Sequence, residues 1–203
     1  IIRFCRIIRQ RGNAFLVGDS GSGKRVLATL GSFICGYQIN ALVRSNTDST
    51  PHHSYRDHLK QAIKQAAIKS EKIVYLVCDH EVPSENFFVD LNTVLNPKTV
   101  EDFFSIEERA EIIVHMRPKL RQLNLSDDPT SSWSHFIANI RQYFRIVICM
   151  QAREGNLRIR LRKFPSLLSH TEIDWYHSLT STSYVAAGEA FLSSSLPASI
   201  LSK

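Results

Sequence analysis

The sequence predicts an α/β fold, a mostly parallel five-stranded sheet with helices on both faces. Three observations carry this. Five short apolar runs alternate for the most part with helical patterns, as strands joined by crossover helices do. A glycine-rich loop links the first run directly to the first helical pattern, Gly18-Asp19-Ser20-Gly21-Ser22-Gly23-Lys24. The chain has 203 residues, 43% of them hydrophobic, enough for one sizeable core with appended helices.

Composition narrows the class. No apolar run approaches the roughly 20 residues of a membrane span. The start, Ile1-Ile2-Arg3-Phe4-Cys5-Arg6-Ile7-Ile8-Arg9, reads as a helix entered midway and not as a signal peptide, which fits a piece of a longer polypeptide. Cys5, Cys35, Cys78 and Cys149 stand far apart in apolar segments, and reduced core thiols are expected in place of a disulfide framework or a metal site. The net charge of +6 comes from scattered basic residues, apart from Arg158-Ile159-Arg160-Leu161-Arg162-Lys163, so a solvated basic surface accounts for it better than a nucleic-acid interface.

In chain order, Ala14 to Val17 reads as the first strand, followed by the glycine loop and a helix carrying Val26, Leu27, Leu30, Phe33 and Ile34. Gln38 to Val43 is the second strand. A helix from about Ser54 to Ile68 places Leu59, Ile63 and Ala66 at helical spacing, and Ile73 to Cys78 forms the third strand. The next helix, Glu85 to Leu95, sets Phe87, Phe88, Leu91 and Leu95 on one face. Ser105-Ile106-Glu107-Glu108 is a capping box opening a helix with Ile112, Ile113 and Met116, which Pro118 kinks or ends. An amphipathic helix from about Ser132 to Tyr143 leads into the fourth strand, Arg145 to Met150. Thr171 to Trp175 is the fifth. One domain is expected over residues 1–192, with a loose tail over 193–203 that begins at Ser193-Ser194-Ser195.

The glycine loop sits where strand passes into helix, the context in which G-x-x-x-x-G-K binds phosphate. Its backbone N–H groups turn inward, the helix N-terminus adds partial positive charge, and Lys24 reaches the outer phosphates. The motif calls next for Ser or Thr to hold Mg²⁺, and here that residue is Arg25. Asp79, ending a buried strand, is the expected Mg²⁺ carboxylate. The following position, where a hydrolytic site places a second carboxylate to polarise water, is His80. Glu81 would share the orientation of Asp79 if the strand continued; otherwise it is a solvated turn residue. Gln151, leaving the fourth strand, either senses a γ-phosphate or is an ordinary polar strand end. The cluster Arg158 to Lys163 is either a solvated helix terminus or the carrier of an arginine finger, a group worth about 10³ to 10⁵ in rate where one acts.

Together these segments resemble the AAA+ ring of dynein heavy chains, and within it the fourth AAA+ module. The resemblance rests on Cys5-Arg6-Ile7 and Arg9-Gln10-Arg11-Gly12-Asn13 before the loop, on Tyr55-Arg56-Asp57-His58-Leu59, and on Phe88-Val89-Asp90-Leu91-Asn92-Thr93-Val94-Leu95-Asn96. It is strongest at Ile148-Cys149-Met150 and at Arg158 through Leu167, followed by Ile173-Asp174-Trp175, and runs from about Ile7 to Leu192. It implies a P-loop AAA+ large domain, binding ATP or ADP with Mg²⁺, in a six-module ring that drives movement along microtubules. The implied partners are neighbouring AAA+ modules, intermediate and light chains, and microtubules through the rest of the heavy chain, with no membrane and no nucleic acid. The implied place is the cytoplasmic cytoskeleton, and the pattern is nearer axonemal chains of cilia and flagella than cytoplasmic ones. In the family this module is a regulatory nucleotide site whose basic helix faces the preceding module, making Arg160 and Arg162 the candidate fingers. Their spacing of two puts them on different sides of a helix, so only one faces outward squarely, and Arg162 is preferred.

The departures matter as much. Arg25 and Val26 leave no hydroxyl after Lys24, and His80 stands where AAA+ ATPases carry the catalytic carboxylate. The family's proline between Gln10 and Arg11 is absent, Asn96-Pro97-Lys98 replaces a glycine-containing turn, and the small helical lid is expected to be missing. Three readings follow: a nucleotide-binding motor module with weak or absent hydrolysis, a non-catalytic structural AAA+ domain, or a nucleic-acid-dependent AAA+ ATPase.

Overall fold

A computed structural model describes residues 1–41, 51–82, 84–123, 126, 128–151, 156–178 and 180–195. Its centre is a five-stranded sheet, all of whose pairings are parallel: β1 (Asn13–Gly18), β2 (Gln38–Ala41), β3 (Ile73–Cys78), β4 (Phe144–Met150) and β5 (Thr171–Tyr176), in the order β2-β3-β4-β1-β5. β2 covers the Gln38–Ala41 part of the expected Gln38 to Val43, and residues 42 and 43 lie outside the described residues. β1 is held at its start by one side chain. Asn13 accepts from the Ile146 N–H at 2.9 Å and donates to the His170 carbonyl at 3.2 Å, tying β1 to both its neighbours.

Alternation along the strands divides the core into two layers. On one face Phe15, Val17, Tyr75, Val77, Ile146 and Ile148 pack under α3 (Pro51–Lys69), α4 (Glu85–Leu95), α6 (Ile106–Gln122) and α7 (Pro129–Tyr143). α5 (Val100–Phe103) and the Phe103, Phe104, Trp133 and Phe136 rings fill the outer end of that layer. On the other face Ala14, Leu16, Val74, Leu76, Cys78, Val147 and Cys149 meet α1 (Ile2–Arg6), the π-helical turn Ile7–Arg11 and α2 (Lys24–Ile34). The four cysteines are free thiols, and Cys78 and Cys149 face each other in register across β3 and β4. No helix among the described residues is long and apolar enough to cross a membrane.

Two sequence expectations are corrected. α6 opens with the expected capping box, in which Ser105 Oγ accepts from the Glu108 N–H and Glu108 accepts from the Ser105 N–H. Pro118 does not end it: the helix runs on to Gln122, because Met116 and Leu120, buried on either side of the proline, hold the last turn to the core. Ser193 to Ser195 belong to a helix, α10 (Ser181–Ser195), and not to a loose tail; the Ala and Leu residues before them favour helix enough to carry it over the serines. Residues 196–203 lie outside the described residues.

A further finding concerns α2. Its apolar periodicity is real, but the apolar stripe faces outward: Val26 is 69% and Phe33 76% exposed, with Leu30 and Ile34 beside them. The helix turns Ala28, Gly31 and Ser32 inward. The cause is the fully buried Phe4 of α1, whose ring lies so close that a Cβ on Gly31 would sit 2.4 Å from one ring carbon. Small residues let α1 and α2 share one face of the sheet. Gly31→Ala should therefore destabilise the fold by about 1–3 kcal/mol through overpacking, read as a lowered thermal midpoint. An unchanged midpoint would show that Phe4 does not fix the spacing of these helices.

Candidate nucleotide site

Ligands of open parallel sheets bind at the carboxyl ends of the strands, and here β1, β3 and β4 deliver their ends to one cleft. β1 ends at Gly18, where a Cβ would come within 2.4 Å of the Tyr176 carbonyl, so only glycine lets the tips of β1 and β5 converge. Beyond it Gly21 and Gly23 take φ of 78° and 77°, a left-handed geometry that coils the loop into the first turn of α2. Lys24 is buried at that turn. Its ammonium donates to the Gly18 carbonyl at 3.0 Å, the Asp19 carbonyl at 2.6 Å and Ser22 Oγ at 3.1 Å. Ser22 Oγ in turn donates to the Asp19 carbonyl at 2.8 Å. The lysine thus caps its own loop, with acceptors that a phosphate could replace.

Ser20 through Val26, Cys78, Asp79, His80, Cys149, Met150 and Gln151 line a cleft of about 320 Å³. A larger hollow of about 540 Å³ opens at the opposite edge of the sheet, beside Asn13, Phe144 and Thr171. It lies at the wrong ends of the strands and has no phosphate loop, so the smaller cleft is the candidate site.

β3 stops at Cys78, and Asp79–Glu81 form a single 3₁₀ turn. This turn decides the three acidic and imidazole candidates. Asp79 Oδ1 accepts from Arg160 at 2.8 Å. His80 points to solvent, its side chain 70% exposed, with Nε2 3.7 Å from Glu81 Oε1. Glu81 is buried: one carboxylate oxygen lies 2.8 Å from the Arg25 guanidinium and the other accepts from the Cys78 N–H at 3.2 Å. The expectation of a solvated glutamate fails because the tight turn folds Glu81 back beneath the strand end, where Arg25 neutralises it.

The basic segment forms α8 (Asn156–Lys163), and its arginines part as their spacing requires. Arg160 turns into its own chain, pairing with Asp79 and, through Nε at 2.9 Å, with Glu85 at the start of α4. Its guanidinium also lies 4.9 Å from the centre of the Phe88 ring. Burial works to lower its pKa, but the hydrogen bonds to Glu85 and Asp79 outweigh this and raise it. Arg162 and Arg158 are exposed. Gln151 is half-buried at the cleft edge. The structure therefore places Ser20 to Arg25, Asp79, His80 and Gln151 on the wall of one cleft, ties Glu81 and Arg160 to that wall through Arg25 and Asp79, and leaves Arg162 outside it.

Sequence reasoning missed Glu85 and Phe88 as partners of Arg160, and Tyr184 of α10, whose hydroxyl would lie 3.7 Å from a Cβ on Gly21. No local motif signals these contacts, since each joins residues far apart in the chain. The segments that carry the resemblance do meet in space. Asp90 lies 3.8 Å from Arg56, whose guanidinium sits over Phe103. Asn92 accepts from the Ser166 N–H at 3.0 Å, in the short α9 (Ser166–Ser169), and Phe88 stacks on Phe164 at 5.8 Å.

Comparison with known proteins agrees with this geometry. Residues 1–202 match the family described as P-loop containing dynein motor region D4. Among curated proteins the chain is 32% identical over 193 residues to the dynein beta chain of the flagellar outer arm of Chlamydomonas reinhardtii. It is 33% identical over 196 residues to human dynein axonemal heavy chain 17 and 31% identical over 195 residues to human dynein axonemal heavy chain 6. Each match covers 95% of this chain but only 4 to 5% of the relative's own length. With the parallel sheet, the glycine loop and the strand-end aspartate in place, the chain belongs to the dynein heavy-chain motor region family, in its D4 module.

Proposed function

We propose that residues 1–192 form the AAA+ large domain of the fourth module of an axonemal-type dynein heavy chain, serving as a regulatory nucleotide site with weak or absent hydrolysis of its own. The ligand is ATP or ADP, held by Gly18, Asp19, Ser20, Gly21, Ser22, Gly23, Lys24 and Arg25. The single observation that carries this is the Lys24 ammonium, buried at a helix N-terminus and bonded to loop oxygens that phosphate oxygens can replace. The module works within a ring of AAA+ neighbours, in a motor that carries intermediate and light chains and walks on microtubules of the ciliary or flagellar axoneme. The names of the relatives support that setting.

Hydrolysis is weak on this reading because no carboxylate stands ready to activate water. His80 is a solvent-facing imidazole, and Glu81 and Asp79 are each ion-paired to an arginine of the same chain. Arg162, exposed on α8, is the finger directed at the preceding module, whereas Arg160 is committed to Asp79 and Glu85.

Calorimetric titration of the chain with ATP and ADP tests the binding reading. The parent should bind, and Lys24→Ala should show no measurable binding; a variant that bound ATP as tightly as the parent would remove the phosphate cradle. Single-turnover assays with excess chain over ATP should give cleavage near background. Cleavage well above it would identify Glu81, released from Arg25, as a working base. In a complete heavy chain, Arg162→Ala should slow hydrolysis at the preceding module, towards the roughly 10³- to 10⁵-fold that loss of a finger produces, and leave nucleotide binding in this module intact. An unaffected motor ATPase would reduce Arg162 to a solvated helix end.

A further inference from the structure

The two carboxylates of the turn after β3 are both held by arginines of this same chain. Asp79, the residue expected to hold Mg²⁺, has Arg160 at 2.8 Å. Glu81, buried beneath it, has Arg25 at 2.8 Å. Arg25 also occupies the position from which a hydroxyl would reach the metal. Mg²⁺ dehydrates reluctantly and demands near-octahedral oxygen ligands, usually one or two carboxylates with phosphate oxygens and water. Here Asp79 already lies against a guanidinium, and a divalent ion placed beside it in the cleft would also confront Arg25. The residues present do not fit the metal.

They do fit what the metal does electrostatically. A guanidinium has five N–H donors in a planar fork suited to phosphate as well as carboxylate, so the Arg25 pair with Glu81 leaves donors for a second anion. Arg25 stands in the first turn of α2, directly after the lysine of the phosphate cradle, with its side chain half exposed along the cleft wall. We infer that Arg25 and Arg160 replace the nucleotide's magnesium ion in this site, which takes up a nucleoside di- or triphosphate as the metal-free anion. This rests on the nucleotide-binding reading above and specifies the ionic form of the ligand. Arg25 supplies charge to the phosphates, and Arg160 blocks the metal by neutralising Asp79 while anchoring α8 to α4 through Glu85.

The test is calorimetric titration of the 203-residue chain with ATP, once in EDTA and once in excess MgCl₂, with folding checked by far-UV circular dichroism. The parent should bind ATP in EDTA at least as tightly as in Mg²⁺. In the variant Arg25→Ser/Arg160→Gln, which restores a hydroxyl and frees Asp79, Mg²⁺ should tighten ATP binding by about tenfold, about 1.4 kcal/mol. Arg25→Lys keeps the charge and should keep the indifference to Mg²⁺, so it decides the matter should the double variant fail to fold. A parent that binds ATP tenfold or more tightly with Mg²⁺ than in EDTA overturns this inference alone and leaves the nucleotide reading standing. A parent that binds in neither buffer, though folded, overturns both.

Discussion

Parallel pairing of β1 between β4 and β5 requires every connection to return the chain to the same edge of the sheet before the next strand begins. That constraint brings the end of β1 with its glycine loop, the end of β3 with Asp79 and the end of β4 with Gln151 to one cleft, although they are scattered over more than half the chain. Asn13 secures the opposite end, bonded to β4 on one side and to the start of β5 on the other. With both faces of the sheet covered, the central strands β1, β3 and β4 are buried and cannot slide without exposing one layer of core, so the cleft inherits the rigidity of the sheet. The cleft keeps its shape only while that edge is fixed.

On this frame the chain arranges charge in an unusual way for a phosphate loop. A buried carboxylate such as Glu81 is tolerated only if it is paired and hydrogen-bonded, and it is both, through Arg25 and the Cys78 N–H. Arg25 and Glu81 therefore form one unit: the arginine that breaks the phosphate-loop pattern and the buried glutamate of the turn explain each other. Asp79 and Arg160 form the corresponding unit on the far side of the turn. The same 3₁₀ turn, Asp79–Glu81, supplies both carboxylates and leaves His80 between them facing water.

Much of this was legible in the sequence because it is local. The glycine loop, the capping box of α6, the bounds of α4 and the strand ending in Asp79 all follow from residues within a few positions of one another, and all appear as the sequence predicts. What was not legible depends on distant neighbours. Hydrophobic periodicity gave α2 but could not give the direction of its stripe, since that depends on Phe4 occupying the space beside Gly31. Pro118 is a helix breaker by local rules, and it is overridden by the burial of Met116 and Leu120. Glu81 was ambiguous because a strand end cannot be placed to the residue from composition, and one residue of difference separates a solvated side chain from a buried ion pair. The split between Arg160 and Arg162 was foreseeable from their spacing, but the identity of the inward partner was not, because Asp79 and Glu85 lie 81 and 75 positions away.

The helix α4 gathers these distant terms. From one element Glu85 and Phe88 hold Arg160, Phe88 stacks on Phe164, Asn92 caps the backbone at Ser166, and Asp90 faces Arg56 of α3. α4 therefore connects the strand-end aspartate, the basic helix α8 and the short α9 that feeds β5. Because Arg160 is fixed on one side of α8 by Asp79 and Glu85, the side on which Arg162 emerges is fixed as well. The direction in which this chain presents its exposed arginine is thus set at its own nucleotide cleft, by the same carboxylate that a metal would need.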